Sequence, residues 1–216
     1  GRLLGDRRSC RAFDGRPVPE DVIRRMLALA QRTPSWCNCQ PWQAIVTSGE
    51  GTERFRRAFL EAATAAGDET DIPLPEAYRG VYQERRRAAG YGLYASVGIE
   101  RSDREGRFRQ NLENFRLFGA PHVLVVHSDR SLGPYGAVDC GAYIATFLLA
   151  AQAEGVATIA QATVAMRSPL VHAHFGLGDD RLVIAGVSFG YAADHPVNRF
   201  RTERASIDEA ATWVRA

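Results

Sequence analysis

The segment 137–153 constrains the fold more than any other part of this chain, because it is almost uncharged over about four and a half helical turns. Asp139 is the only acidic or basic residue in it. A helix that is apolar on nearly every side has to be covered over most of its surface. The sequence therefore predicts a central buried helix, which either belongs to the core of a single chain or also forms the core of a dimer.

The other predicted elements alternate irregularly between helix and strand. Apolar runs predict about four strands, at 43–48, 122–127, 156–160 and 182–191. Amphipathic spacing predicts helices at 3–8, 19–31, 53–66, 78–98, 102–118 and 168–175. Because strands and helices do not follow each other in a regular repeat, we expect an α+β fold rather than a doubly wound sheet.

Composition excludes several classes of protein. A length of 216 residues fits one domain, 1–216, and a net charge of +2 gives no footprint for nucleic acid. No apolar run reaches about 18 residues and no apolar signal region begins the chain, so we expect no membrane span. All 27 basic residues are arginines, which excludes Schiff-base chemistry on lysine. The cysteines Cys10, Cys37, Cys39 and Cys140 fit neither a zinc pair nor a disulfide scaffold, which favours free thiols in a reducing cytoplasm.

Known sequence motifs for nucleotide, metal and hydrolase sites are missing. The chain contains no glycine-rich dinucleotide motif, no P-loop, no GxSxG and no HExxH. Its five histidines lie in an apolar strand, in a short helix and near the C-terminus, where we expect structural or surface roles. We therefore predict no metal site and no catalytic triad.

Two dense polar segments and one arginine pair are the best candidates for a binding site. Arg7, Arg8, Ser9 and Arg11 lie together near the N-terminus, and Arg199 and Arg201 are two residues apart near the C-terminus. Alternate residues of an extended segment face one side, so this arginine pair and the first cluster can bind a phosphate dianion. The alternative is that both clusters are solvated faces. The segment 34–42 adds Asn38 and Gln40, whose amides suit the edge of a planar heterocycle.

The order of these motifs resembles that of the nitroreductase family of FMN-dependent oxidoreductases. The resemblance rests on residues 7–13 with 17–19, on Pro34, Ser35, Asn38, Gln40, Pro41 and Trp42, and on 186–191 with 196–201. It runs nearly from end to end of the chain. It implies an FMN-binding domain with a central, mostly antiparallel sheet of four to five strands flanked by helices, in an intertwined homodimer with FMN at the subunit interface.

The resemblance also implies roles for individual residues. Arg7, Arg8 and Ser9 would hold the FMN phosphate and ribityl chain, together with Arg199 and Arg201. Arg11 and Arg116 would stabilise charge at the N1/O2 edge of the flavin. Ser35, Asn38 and Gln40 would lie against the ring or ribityl chain, and the backbone at Gln161 and Ala162 would approach N5. Many family members have a glutamate–glycine pair near these last two positions, so the N5 contact is open here.

The implied reaction is a ping-pong hydride transfer from NAD(P)H through FMN to a small nitroaromatic or quinone-like acceptor, which needs positioning rather than a side-chain base. The choice between NADH and NADPH stays open. Residues 72–110 form a lid-like excursion that matches no family pattern; its tyrosines Tyr82, Tyr91 and Tyr94, with Trp36 of the loop, either contact the acceptor or only pack. Two alternatives remain: a specialised flavoenzyme of the same fold (reductive dehalogenase, flavin-fragmenting enzyme or azoline dehydrogenase), and a non-catalytic flavin-binding module.

Overall fold

The computed structural model describes residues 1–65, 67 and 69–215. Four strands are present in this part of the chain: β1 (Trp42–Ser48), β2 (His122–Asp129), β3 (Ala157–Gln161) and β4 (Arg181–Gly190). The helices are α1 (Arg2–Asp6), α2 (Glu20–Ala30), α3 (Glu50–Glu61), α4 (Gly80–Ser96), α5 (Arg104–Phe115), α6 (Gly133–Ala153), α7 (Ala162–Ala165), α8 (Ser168–Phe175) and α9 (Ile207–Ala210). Short 3₁₀ turns lie at Trp36–Asn38, Ala62–Thr64, Leu117–Gly119, Arg130–Leu132 and Pro196–Arg199.

The strands form one sheet in the order β1-β2-β4-β3, and every pair of neighbours is antiparallel. This confirms the predicted α+β class and antiparallel sheet. Side chains alternate across the central strand β2, so Leu124 and Val126 face one layer while Val123 and Val125 face the other. The first layer contains α2 and α6, and the second contains α3, α5 and α8.

Helix α6 is buried on one side only in the single chain, whereas the sequence predicts a helix covered over most of its surface. Its inner face packs Cys140, Tyr143, Phe147 and Ala151 against the sheet and α2. With the preceding 3₁₀ turn, the segment Arg130–Ala153 is long and apolar enough to cross a membrane by length and composition, which the sequence-based expectation did not foresee. A core helix passes the same test, and the packing of α6 on the sheet and α2 is that of a core helix.

The lid-like excursion consists of α4 and α5 with the loops around them. No residue of α4 is buried in the described chain. The helix approaches the C-terminal segment most closely at Gly92, where an added Cβ would lie 2.7 Å from the ring of Phe200. The absence of a side chain at position 92 therefore lets α4 lie against Phe200.

The segment before the excursion is attached to the sheet by Asp71. Its carboxylate accepts hydrogen bonds from the backbone N–H of Val183 (2.8 Å) and from Arg130 (3.2 Å). Nε2 of His172 lies 2.9 Å from the same carboxylate. Strand β4, the 3₁₀ turn at Arg130–Leu132 and helix α8 thus hold one side chain at the base of the excursion.

Predicted boundaries agree with the structure to within a few residues at most elements. The predicted helix 168–175 has the observed bounds, whereas the predicted helix 53–66 begins earlier, at Glu50, and gives way to a 3₁₀ turn after Glu61. Ala66, at the end of that prediction, and Ala216, at the end of the predicted domain, lie outside the described residues.

Candidate active site

A cavity of about 250 Å³ lies where the N-terminal and C-terminal segments meet. Its walls include Arg7, Arg8, Ser9 and Arg201, four of the residues that the sequence assigns to a phosphate. Ser9 is held by a bridge to Thr158 at the edge strand β3, and the next N–H, that of Cys10, donates to the Thr158 carbonyl at 2.9 Å. The first cluster is therefore fixed to the sheet. We call this space the phosphate cavity.

The electrostatics of the phosphate cavity favour an anion. Arg7 and Arg8 make no ion pair with any of the described residues. Burial lowers the pKa of Arg201, and the positive charge of Arg8 lowers it further. These arginines repel each other because none of the acidic residues that the structure describes lies between them. A bound phosphate dianion would offset this repulsion.

Arg11 joins the phosphate cavity to a second, larger cavity of about 650 Å³, because it lines both. Burial lowers the pKa of its guanidinium. Within the described part of the chain, that guanidinium makes a single long hydrogen bond, from Nη1 to the Ser9 carbonyl at 3.5 Å. Four of its five N–H groups are therefore left for a ligand. We call the larger space the ring cavity.

The ring cavity is lined by residues from five parts of the chain, among them Arg11, Phe13, Val97, Arg116, Phe118 and Val197. Arg116 follows the end of α5 and pairs with Glu113 at 2.6 Å. Its charge is therefore partly compensated, unlike that of Arg11. Arg11 and Arg116, the two residues predicted to stabilise the ring edge, thus both line the ring cavity. Arg11, which has no ion pair among the described residues, also lines the phosphate cavity.

Backbone strain is concentrated at two places. In the described chain, the non-glycine residues with positive φ are Cys37, Asn38, Gln40, Leu117 and Phe118. The first three belong to the loop 34–42, and the last two follow Arg116 at the ring cavity. Residues held in this region cost about 1–3 kcal/mol each and tend to occur at functional sites. The strain supports a role for both segments.

Gln161 and Ala162 lie at the end of β3 and the start of α7. The side chain of Gln161 is buried and both of its polar atoms are hydrogen-bonded: Nε2 donates to the Asn114 carbonyl at 2.9 Å, and Oε1 accepts from Ser188 at 2.5 Å. Ala162 is exposed. The backbone is therefore the part of these two residues that can donate to a ligand. The sequence analysis likewise expects a backbone contact, with N5 of the flavin.

The loop 34–42 does not join the phosphate cavity or the ring cavity within one chain, since the described residues that line them do not include Ser35, Asn38 or Gln40. It contacts the outer face of α6 instead. The backbone N–H of Trp36 donates to Asp139 at 3.1 Å, and its ring lies 4.7 Å from that of Tyr135. Within the loop, Ser35 Oγ accepts from the Gln40 N–H at 2.9 Å.

The predicted pairing of Arg199 with Arg201 is corrected by the structure. Residues Pro196–Arg199 form a 3₁₀ turn, so the two side chains do not follow the alternation of an extended segment. Arg199 points to solvent and pairs with Asp194 at 2.7 Å, whereas Arg201 lines the phosphate cavity.

None of the four candidate acceptor contacts is among the described residues that line the ring cavity. Tyr82 is 67% exposed on α4, and Tyr91 lies beneath the guanidinium of Arg101 at 4.3 Å. Tyr94 is partly buried on the same helix, and Trp36 is exposed beside α6. Their roles toward an acceptor stay predictions.

Sequence reasoning missed Asn198, which is 4% exposed and lies between the two cavities. It also missed Phe13, Phe118 and Val197 on the walls of the ring cavity. The positive φ of Phe118 is not visible in a sequence. The position of Asn198, three residues before Arg201, is the one sequence feature that pointed toward it.

The fold is antiparallel α+β, and a cationic cavity shares the partly buried Arg11 with a larger cavity, an arrangement suited to a ligand with a phosphate and a ring. The sequence model of the nitroreductase family matches residues 4–191. The chain belongs to this family, which confirms the resemblance seen in the sequence.

Relatives match over nearly their whole length. Nitroreductase NfnB of Mycolicibacterium smegmatis is 37% identical over 216 residues, which cover 99% of this chain and 92% of that protein. Chloronitrobenzene nitroreductase of Comamonas testosteroni is 33% identical over 98% of this chain and 95% of its own length. The solved structure of the FMN-dependent nitroreductase NfnB from Mycobacterium smegmatis in complex with NADPH has a TM-score of 0.93 and 36% identity, covering 99% of this chain and 97% of that one.

Proposed function

We propose that this protein is an FMN-dependent nitroreductase that oxidises NADPH and reduces nitroaromatic compounds. The observation that carries the proposal is that Arg11 lines both the phosphate cavity and the ring cavity. NADPH and FMN are named for the relatives in solved structures, and nitroaromatic substrates for the curated relatives. Quinone-like acceptors are a further class for the same site.

The residues present fit FMN, which carries one phosphate dianion and one flat ring system. Arg7, Arg8, Ser9 and Arg201 would hold the phosphate through charge-assisted hydrogen bonds. Arg11 would donate to the ring edge, where a fixed cation favours the reduced form. FMN supplies the hydride chemistry when bound. The chain itself contributes binding, orientation and a permanent positive charge.

We further propose that the active form is a homodimer in which the partner contributes the loop 34–42 to the site. In one chain the strained loop lies against the outer face of α6, away from the arginines. That outer face is apolar: Tyr135 and Val138 are 63% and 65% exposed, and Ala142, Ala145 and Leu149 continue the same stripe. An exposed apolar stripe of this length favours burial by a second copy.

The domain would be a single unit, 1–216, with the excursion around 72–110 acting as its lid. We place the protein in the cytoplasm, which agrees with four free cysteines. Its partners would be small molecules and its own second copy, without nucleic acid or membrane.

The purified protein and its absorption spectrum test this function. We expect flavin bands and one FMN per chain, followed by bleaching with NADPH and recovery of the bands when a chloronitrobenzene is added. NADH measured in parallel gives the donor preference. Bands that bleach but do not recover with the nitroarene would contradict nitroreduction and favour a specialised flavoenzyme. Bound FMN without NADPH oxidation would indicate a non-catalytic flavin-binding module.

A further inference from the structure

Asn198 lies at the junction of the two segments that form the cavities. Residues immediately before it, His195–Val197, line the ring cavity, and Phe200 and Arg201 after it line the phosphate cavity. Its side chain is almost completely buried but touches neither cavity. A buried amide in this position has to be explained by its hydrogen bonds.

Each hydrogen-bonding group of the Asn198 side chain has a partner on the backbone near Arg11. Oδ1 accepts from the Arg11 N–H at 2.8 Å. Nδ2 donates to the carbonyls of Ala12 at 2.8 Å and Ala193 at 2.9 Å. These bonds use both N–H donors and one acceptor lone pair of the amide, and neither a carboxylate nor a hydroxyl can supply two donors beside an acceptor at neutral pH.

The backbone of Asn198 acts on the other arginine of the site. Its carbonyl accepts from Nη1 of Arg201 at 2.8 Å. The residue therefore holds Arg11 through its side chain and Arg201 through its main chain. The guanidinium groups themselves have few other ties, since Arg11 makes one long hydrogen bond and Arg201 otherwise bonds to the Phe200 carbonyl.

We propose that Asn198 is a positioning residue that sets the place of Arg11 relative to Arg201, and so aligns the cation of the ring cavity with the cation of the phosphate cavity. The inference rests on the proposed function, because it assumes that both cations face one FMN. A rigidly placed charge stabilises the reduced ring more than a mobile one. Loss of the amide would therefore weaken FMN binding and lower the FMN midpoint potential together.

The test compares holoenzyme carrying Asn198→Ala with wild type and with Asn111→Ala, the same change at an exposed residue of α5. FMN release on dilution, followed by flavin fluorescence, gives the dissociation constant, and a reductive titration gives the midpoint potential. We expect FMN affinity to fall about tenfold or more in Asn198→Ala, because three partly buried backbone groups each lose the hydrogen bond that ties them to residue 198. The midpoint potential should fall as well, and Asn111→Ala should match wild type in both.

A purely structural role makes a different prediction. If Asn198→Ala lowers only the unfolding temperature, while the FMN dissociation constant and midpoint potential equal those of wild type, the positioning role is refuted. Wild-type protein that binds no FMN would refute the proposed function itself. Failure of the positioning role and failure of the proposed function therefore give different results.

Asn198→Asp provides a second test if the alanine variant does not fold. The introduced carboxylate still accepts from the Arg11 N–H, but its second oxygen faces the carbonyls of Ala12 and Ala193 without a proton to donate. Once protonated, it can donate to one of them. We expect its FMN affinity to approach that of wild type as the pH falls toward 5, with each pH compared against wild type. An equal deficit at every pH would overturn the proposal.

Discussion

Arg11 combines two properties that oppose each other in a protein, burial and a permanent charge. Burial alone favours the neutral form of the group and lowers its pKa, yet a guanidinium stays protonated at any physiological pH. Such a charge is retained where a ligand compensates it. The position of Arg11 on the wall of both cavities makes the flavin ring edge the natural partner.

We expect Arg11→Ala to fold normally and to slow flavin reduction by NADPH by about a hundredfold, because one buried charged donor is lost at the atoms that gain negative charge. Stopped-flow absorbance measures the rate. Arg32→Ala, which removes an exposed arginine at the end of α2, is the matched control. Wild-type FMN content together with wild-type reduction rates in Arg11→Ala would contradict the role.

Asp71 links stability to pH. Burial raises the pKa of its carboxyl, but the hydrogen bonds from Val183, His172 and Arg130 outweigh burial and leave the pKa below its ordinary value. A carboxyl whose pKa is lowered by folding stabilises the protein above the pKa of the unfolded chain, about 3.9, and loses this contribution as the pH falls through the folded value.

We therefore expect Asp71→Asn to lower the free energy of unfolding at pH 7 by about 1–3 kcal/mol, the range for hydrogen bonds to a charged group. The difference from wild type should begin to shrink below about pH 4, where the carboxyl of the unfolded chain takes up a proton, and should vanish below the lowered pKa of the folded carboxyl. Urea unfolding at several pH values measures it, with the exposed Asp208→Asn as control. If the difference in free energy of unfolding between wild type and Asp71→Asn stayed constant from pH 7 to pH 3, the charge of Asp71 would contribute nothing to stability.

The sequence analysis groups several residues around one cofactor, but it does not give the connections between them. Arg7, Arg8, Ser9, Arg11 and Arg201 line one cavity, because the N-terminal and C-terminal segments meet there, and their roles toward FMN stay predictions. Asn198 lies in the 196–201 motif, but the motif gives no sign of what its side chain binds, since its partners are backbone atoms as far as 187 residues away.

At the scale of elements, α7 depends on a glycine of the neighbouring strand. A Cβ at Gly186 of β4 would lie 2.5 Å from Cγ2 of Val164, so α7 packs on the sheet only because position 186 has no side chain. The helix begins at Ala162, the predicted N5 contact. A shift of α7 would therefore move that contact.

We expect Gly186→Ala to destabilise the fold by about 1–3 kcal/mol through overpacking. Adding Val164→Ala should restore part of this loss, because the two changes act on one contact. Gly51→Ala, whose new Cβ meets no atom within 4 Å, is the control. Thermal unfolding of the four proteins gives the coupling. Strict additivity of the two changes would mean that the contact does not limit the packing of α7.

Element boundaries show where sequence patterns are sufficient. The helix 168–175 is predicted with its observed bounds because Pro169 and Gly176 mark its ends. The 3₁₀ turn at Pro196–Arg199 was missed because alternation of Arg199 and Arg201 suggested an extended chain. The position of the loop 34–42 was missed for another reason: its contacts are with α6, about a hundred residues later.

At the scale of the whole molecule, the outer face of α6 would link assembly to cofactor binding in the homodimer proposed above. The stripe of Tyr135, Val138, Ala142, Ala145 and Leu149 carries no charge, and the loop 34–42 lies beside it. If a second copy covers this face, the loop of each chain comes within reach of the other chain. Separation of the subunits should then also cost flavin.

We expect Val138→Asp to elute as a monomer and to lose most of its FMN, because a carboxylate placed in an apolar interface is costly to bury. Light scattering after size-exclusion chromatography gives the mass. Leu60→Asp puts the same charge on α3, in the opposite layer, and should leave mass and FMN content unchanged. A Val138→Asp dimer with full FMN content would exclude this face as the interface.

The hydrogen bond between Arg11 and Asn198 also orders events during synthesis. It spans 187 residues, and Arg201 contributes to the phosphate cavity still later in the chain. Arg7, Arg8 and Arg11 are synthesised well before residues 198–201, so a nascent chain has no complete site for FMN until residue 201 has left the exit tunnel. We therefore expect flavin capture only after this point of synthesis, and a chain truncated before Asn198 should accumulate as apoprotein, even if its sheet were complete.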